Sequence, residues 1–431
     1  MNVQTMIESR PMSRAQLLII FLCFVLNMID GMDVVVASYV APRIIEDWSV
    51  SSQAFGMVFS AALVGMATGA MFVSPYTDVI GRRNMVLICV ITVSAGMFLT
   101  AYASSVGQLA ALRLFTGLGI GSMLASLTSL SYEYASAKRR NLVVSFVLGG
   151  YPIGATLTGL MAAWLIPEFG WRSMFYAGSA VSLLLLPVVY LFLPESLEFL
   201  LTKQPAGALA RANDILQKLK LNLLDSLPVM TARQNGANVR SLLAKEYAFA
   251  TLKLWVAFFM AFFTLYFLLS WIPKISEVTG LTPAQGSYAG AIFNLGSFFG
   301  IVFLGHFSSR LGLKKTIFIF MILSAVFMVI FGSFRFSLPI FMCVLFVLGF
   351  FVQGGFIGLY AVAARLYPVA IRTTGIGWGI GLGRFGAIIA PALGGLAIGI
   401  ELPVGLIFVL FALPVIIAGF AEFGIKNSNV D

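Results

Sequence analysis

The sequence predicts an all-α membrane protein of twelve transmembrane helices in two six-helix bundles, and three observations carry that prediction. The 431 residues are 60% hydrophobic and only 10% charged, with a mean hydropathy of +0.97, whereas soluble domains are about 25% charged. Apolar runs long enough to cross a hydrocarbon core of about 30 Å recur at 17–40, 54–74, 85–102, 109–131, 142–164, 173–193, 248–271, 286–304, 316–334, 339–362, 375–397 and 404–423. One long polar segment, 194–247, divides them six and six. In lipid the backbone must satisfy its own hydrogen bonds, and runs of this length do so as helices.

The first run holds Asp30 and Asp33, in Leu26-Asn27-Met28-Ile29-Asp30-Gly31-Met32-Asp33-Val34. A charge at mid-membrane costs about 2.5–3.5 kcal/mol on insertion scales, so such residues are expected to face a wet pathway. Their i, i+3 spacing puts them on one helix face; a helix interrupted at Gly31, with the acids capping it, is the blander alternative. This run is too long for a signal sequence, lacks a small-residue cleavage site and carries two acids, so it reads as a span. The second run ends in Asp78-Val79-Ile80-Gly81-Arg82-Arg83. The third follows directly, and the fourth opens with Arg113, continues through Gly117, Gly119 and Gly121, and is closed by Glu133, Arg139 and Arg140. Gly149-Gly150-Tyr151-Pro152-Ile153-Gly154 gives the fifth a close approach and a kink.

After the sixth run, the polar segment has helical character around Ala206–Leu221 and otherwise reads as a linker. The domains are therefore expected at 1–193, 194–247 and 248–431. The seventh run ends in Tyr266-Phe267-Leu268-Leu269-Ser270-Trp271-Ile272-Pro273, and the eighth contains Phe293 and leads to Ser309-Arg310-Leu311-Gly312-Leu313-Lys314-Lys315. Runs nine to twelve bring Tyr360, Arg365, Arg372, Trp378 and Arg384. The halves echo one another: aligning Gly81 with Gly312 also aligns Gly69 with Gly300 and Asp78 with Ser309. Two homologous six-helix bundles around a midplane site form a transporter layout.

An even number of spans puts both termini on one side. With the amino end inside, the outer loops hold only Arg43, Arg172, Lys274 and Arg335, while most of the 27 Lys and Arg residues, Arg10 and Lys426 included, fall inside. That asymmetry predicts cytoplasmic termini. The net charge of +10 is then topological, and no nucleic-acid partner is expected. Cys23, Cys89 and Cys343 lie within spans and read as small hydrophobes. With His306 the sole histidine, neither a metal site nor a cofactor is expected. No Walker loop is present, which disfavours ATP hydrolysis.

A pair of carboxylates in a span suits proton exchange. Arg384 sits deep in the eleventh run between Gly383 and Gly386; its planar fork suits a carboxylate, either of a substrate or of an internal acid. Arg113 is open to two readings, a functional one and simple snorkelling to the interface.

These residues carry a resemblance. The loop after the second run is similar to the G-x-x-x-D-R-x-G-R-R motif of the major facilitator superfamily, matched at Asp78, Gly81, Arg82 and Arg83, with Ser74 and Val79 departing from it. The second copy keeps Gly305, Arg310 and Gly312. Arg113-x-x-x-Gly117-x-Gly119-x-Gly121 is similar to the family's R-x-x-x-G-x-G-x-G. Within the superfamily, Asp30-Gly31-Met32-Asp33 resembles the D-G-x-D signature of the aromatic acid:proton symporters. The most specific match runs from Ala363 to Pro368, Arg372 to Trp378, Gly383 to Gly386, and Pro391.

The resemblance implies that superfamily's fold, with substrate and proton handling at Asp30 and Asp33 and proton coupling that extends to Arg113 and Glu133. It implies gating at Asp78, Gly81, Arg82, Arg83, Arg139, Arg310, Arg365 and Arg372, through inter-bundle ion pairs that lock the outward-open state; topological anchoring is the alternative for the basic ones, and Glu133, Arg139 and Arg140 are candidates to pair with these groups. Arg384 is expected to meet a substrate carboxylate. Tyr266, Trp271, Phe293, Tyr360 and Trp378 lie on spans that line the second-half cavity, where they are candidates to stack on a substrate ring. The expected protein is a monomeric bacterial inner-membrane transporter, in a lipid bilayer, importing a small aromatic acid with protons. A porter for another organic anion such as a sugar acid or dicarboxylate, an efflux antiporter, and a non-transporting sensor remain as alternatives.

Overall fold

A computed structural model describes residues 12–228 and 239–425; Arg10 and Lys426 of the charge asymmetry lie outside the described residues. Twelve helices among these residues are long and apolar enough to cross a membrane. They are α1 (Arg14–Asp47), α2 (Ser52–Ile80), α3 (Arg82–Thr100), α4 (Val106–Tyr134), α5 (Leu142–Phe169), α6 (Arg172–Phe192), α7 (Ala248–Val278), α8 (Pro283–Leu311), α9 (Leu313–Ser333), α10 (Leu338–Leu366), α11 (Thr374–Gly399) and α12 (Val404–Phe423). No strand occurs among the described residues. The linker forms two short α-helices, Leu197–Lys203 and Ala208–Lys218, the second within the stretch expected to be helical, and a 3-10 helix at Val239–Leu243.

Several helices overrun their apolar runs. Hydropathy ends where polar residues begin, but a helix continues as long as its end groups are satisfied. Ser13 and Gln16 cap the start of α1 reciprocally, and Thr282 and Gln285 do the same for α8. The interruption considered at Gly31 does not occur; α1 runs unbroken from Arg14 to Asp47.

Small residues decide how the helices pair. A Cβ at Gly154 would collide with the carbonyl oxygen of Met28, and one at Gly31 with that of Tyr151, so α1 and α5 touch backbone to backbone. Where no hydrophobic force separates helix from lipid, such close approach supplies the attraction. The first bundle pairs α1 with α5, α2 with α4 and α3 with α6; the second pairs α7 with α11, α8 with α10 and α9 with α12. Shifting each first-bundle pairing by six helices gives the second, so the repeat seen in sequence is a repeat of packing. Gly69 and Gly300 make the equivalent contacts, on Leu118 and Phe350. Gly81 and Gly312 both sit at helix junctions with positive φ, 96° and 85°, which only glycine adopts cheaply.

The bundles join through α2 against α11, α5 against α8, and α1 against α7. The joining contacts lie in the half of the molecule remote from Gly81 and Gly312. Ser60 Oγ donates to Ile388 O at 2.6 Å, Thr156 Oγ1 to Ala291 O at 3.3 Å, and Gly56 packs on the Pro391 carbonyl. Toward the Gly81 end a cavity lies between the halves instead, walled by Leu124 and Leu148 of the first bundle and Ile301 and Ile357 of the second. The halves are thus sealed at one end and parted at the other, the end that carries the linker.

Replacing Gly154 by valine is expected to force α1 and α5 apart and to destabilise the protein by about 1–3 kcal/mol or more, read as a lower unfolding temperature in detergent. Gly305→Ala adds a methyl with nothing within 4 Å and should leave that temperature unchanged.

Candidate functional site

The two α1 carboxylates have different surroundings. Asp33 is 3% exposed and Arg113, on α4, is 1% exposed; they form an ion pair with Arg113 Nη1 donating to Oδ1 at 3.0 Å. Arg113 Nη2 donates to Thr100 Oγ1 at 3.0 Å, and the guanidinium lies 5.1 Å from the Phe175 ring centroid. Snorkelling is therefore not what places Arg113: its charge is buried and spent on Asp33. A small cavity touches this pair and reaches Tyr266, Leu269 and Ser270 of α7 on the other bundle.

Asp30, one turn away, is 2% exposed, and its Oδ1 has no hydrogen-bond partner. It lines an inter-bundle cavity of about 100 Å³ together with Asn27, Tyr151, Tyr266, Gln353, Tyr360 and Arg384. Asp30 and Arg384 line this cavity from opposite bundles. Arg384 comes from the opposite bundle, and its polar contact is with a weak acceptor, Met66 Sδ at 3.9 Å, which leaves most of a five-donor fork for a ligand. Aromatic rings complete the wall. Tyr266 stacks on Phe262 (5.9 Å, 12°), Phe356 meets Phe262 edge-on at 4.7 Å, and Tyr360 meets Phe356 at 5.6 Å. A cation, an acid and a slot of rings suit a small planar anion.

The remaining expected residues are spread more widely. Of the five aromatics, Tyr266 and Tyr360 line the cavity, whereas Trp271, Phe293 and Trp378 are not among its lining residues. Trp271 is buried where the halves are sealed, its Nε1 donating to Pro391 O at 2.9 Å and its ring edge-on to Phe59 of α2 at 5.2 Å. Phe293 is buried under Gly349 of α10, and Trp378 is exposed beside Trp255, 6.1 Å away.

At the parted end Arg82 sits among three acids, 3.7 Å from Glu133, 3.7 Å from Glu198 and 3.9 Å from Asp78. Glu133 also accepts from Ser196 Oγ at 2.6 Å, so it belongs to this cluster and not to the cavity. Arg83 donates its backbone N–H to Glu195 Oε1 at 3.1 Å, and its guanidinium lies over the Tyr190 ring. All of these groups belong to the first bundle and the linker. Arg139 is exposed, as are Arg310 and Arg365 on the second bundle, while Arg372 donates to Tyr367 O at 3.3 Å. A larger cavity, about 820 Å³, lies outside the passage between the first bundle and the linker helix Ala208–Lys218.

Sequence reasoning passed over Asn27, Tyr151, Gln353, Phe262 and Phe356. Asn27 and Gln353 were legible in principle, as amides inside long apolar runs. The two phenylalanines were not, because rings are 13% of the chain and carry no mark of the face they occupy.

Comparison with known proteins agrees with this architecture. A family model described as Major Facilitator Superfamily matches residues 23–282 and 254–426. A gallate transporter of Pseudomonas putida is 34% identical over 97% of this chain and 94% of its own length. A 4-hydroxybenzoate transporter of Acinetobacter baylyi is 31% identical over 98% and 94%, and a benzoate transport protein of the same organism is 27% identical over 100% and 93%. Among solved structures, a D-xylose-proton symporter superposes with a TM-score of 0.73 at 15% identity, over 96% of this chain and 98% of its own. With two six-helix halves, a buried charge set between them and a family match over nearly its whole length, the chain belongs to the Major Facilitator Superfamily.

Proposed function

We propose that this protein is a secondary transporter that imports a small aromatic carboxylate together with one proton, across the bacterial inner membrane, with both termini in the cytoplasm. The relatives named for gallate, 4-hydroxybenzoate and benzoate transport support the substrate class. The observation that carries the mechanism is the charge balance of the cavity. Asp33 and Arg113 neutralise one another in a direct pair, and Asp30 and Arg384, one acid and one base, line a single cavity from opposite bundles. A substrate carboxylate held by Arg384 leaves one negative charge in excess, in a place where an uncompensated charge costs several kcal/mol. A proton on Asp30 removes it.

Coupling follows from that balance. Facing out, the empty cavity holds Asp30 as the counter-charge of Arg384. Substrate takes the guanidinium, Asp30 takes a proton, and the neutral loaded cavity lets the bundles rock. Facing in, Asp30 loses the proton, competes again for Arg384 and displaces the substrate. The arrangement described above, sealed at one end and parted at the linker end, corresponds to the inward-facing state. Closing that end brings Arg310, Arg365 and Arg372 of the second bundle toward the acidic cluster of Asp78, Glu133 and Glu198, where Arg82, Arg83 and Arg139 set the local charge and Gly81 the turn.

Asp30→Asn is expected to abolish accumulation of substrate driven by a proton gradient in proteoliposomes while sparing substrate exchange, which needs no net proton movement. Accumulation at the wild-type level would remove Asp30 from the proton pathway. Asp33→Asn leaves Arg113 buried without a counter-charge, an expected loss of about 3–5 kcal/mol of stability. The double change Asp33→Asn with Arg113→Gln should recover much of it, and the comparison is made by thermal unfolding.

A further inference from the structure

The sealed end of the bundle boundary holds a ring between two glycines of opposite bundles. Tyr39, on α1, is 3% exposed. A Cβ at Gly159 of α5 would stand 2.7 Å from its Oη and 2.8 Å from its Cζ. A Cβ at Gly290 of α8 would stand 2.6 Å from its Cε1 and 3.0 Å from its Oη. The ring thus fills the space that two side chains would otherwise take, and it rests on backbone on both sides. Its hydroxyl donates to Ala155 O of α5 at 3.2 Å.

These contacts divide unequally between the halves. Ala155 and Gly159 belong to the first bundle, as Tyr39 does, and Gly290 belongs to the second. If that end opens, the ring keeps its hydrogen bond and stays on α5, and it parts from α8. A methyl group at Gly290 is obstructed by the other bundle, since the three atoms nearest to it are all Tyr39 atoms. The ring has no room to retreat, because Gly159 backs it on the far side. The obstruction therefore exists only while the end is sealed. The better helix propensity of alanine acts on α8 alike in both arrangements and cancels.

We propose that Tyr39 is the wedge of the outer gate: its fit against Gly290 stabilises the sealed, inward-facing arrangement over the outward-facing one, and the missing side chain at Gly290 sets where that balance lies. This rests on the rocking of the bundles proposed above and adds a contact that holds one of its two end states. An interaction made in one state alone is what shifts a two-state equilibrium. The dispersion contact of the ring with Gly290 is of that kind, whereas the hydroxyl bond to Ala155 lies within one bundle and persists in both.

Nitroxides on Glu168→Cys and Thr279→Cys, exposed positions at the sealed end of opposite bundles, report its separation by double electron–electron resonance in the full-length protein in liposomes. Cys343→Ser removes the exposed native thiol. In this labelled parent a short distance is expected to dominate over a longer one. Gly290→Ala should raise the ratio of long to short about tenfold, the scale of one methyl group forced into a packed site. In a Tyr39→Ala background the methyl has room, and the same substitution should change the ratio by less than about twofold. Tyr39→Leu, which also lacks the obstructing ring atoms, supplies that background if Tyr39→Ala fails to fold. If the parent shows both distances and Gly290→Ala leaves their ratio unaltered, the wedge is overturned and the rocking reading stands. A shift that persists undiminished without the Tyr39 ring overturns the wedge as well, because the methyl then acts on something else. If parent and Gly290→Ala alike keep one distance in acid and alkaline buffer, with and without benzoate, the wedge and the rocking reading both fall.

Discussion

Charge neutrality in a medium that does not solvate charge is the constraint on which this molecule depends. Two acids three residues apart on α1 differ in their surroundings: one is paired with an arginine, and the other shares a cavity with one. Asp33 meets Arg113 within its own bundle, in a direct and buried pair. Asp30 faces Arg384 across the boundary between bundles, in a cavity with one of its oxygens unpartnered. The first arrangement is a direct ion pair, whereas the second leaves Asp30 Oδ1 unpartnered, which is what the proposed exchange of a substrate anion against a proton draws on. The proposed proton coupling uses one charge set that stays fixed and one that can be traded, with one acid of each on a single turn of α1.

The scaffold that holds these charges is built from backbone contact. Glycines let α1 lie on α5 and α2 on α4, and their counterparts do the same for the second bundle. Such pairs are rigid, since any separation loses contact without a hydrophobic gain to replace it. The boundary between bundles is different. It is joined at one end by a few hydrogen bonds and the Trp271–Phe59 contact, and it is parted at the other. Rigid halves with a divisible boundary are what rocking requires. The Asp78–Arg82–Glu133–Glu198 cluster stiffens the parted end of the first half.

Much of this was legible in the sequence, for reasons that can be named. The spans follow from hydropathy, which acts residue by residue, and the repeat follows from Gly81 and Gly312, whose positive φ demands glycine. Asp30, Asp33, Arg113 and Arg384 announce themselves as charges in apolar runs. Their pairing does not, because Asp33 and Arg113 are 80 residues apart and nothing local says which arginine meets which acid. Helix ends were underestimated, since capping by Ser13 or Thr282 extends a helix beyond its apolar stretch. Trp271 and Tyr266 look alike in sequence as rings of one span, yet one packs the sealed end and the other lines the cavity. Asn27 was overlooked because an amide carries no charge to flag it.

The central claim is that the cavity keeps its charge by exchanging a substrate anion against a proton on Asp30. Counting protons on binding tests it most directly. Calorimetric titration of the purified protein with an aromatic acid, repeated in buffers of different ionisation enthalpy, gives the number of protons taken up with each substrate. About one proton per anion is expected in the wild type and none in Asp30→Asn. Binding without proton uptake in the wild type, or uptake that persists undiminished in the variant, would contradict it.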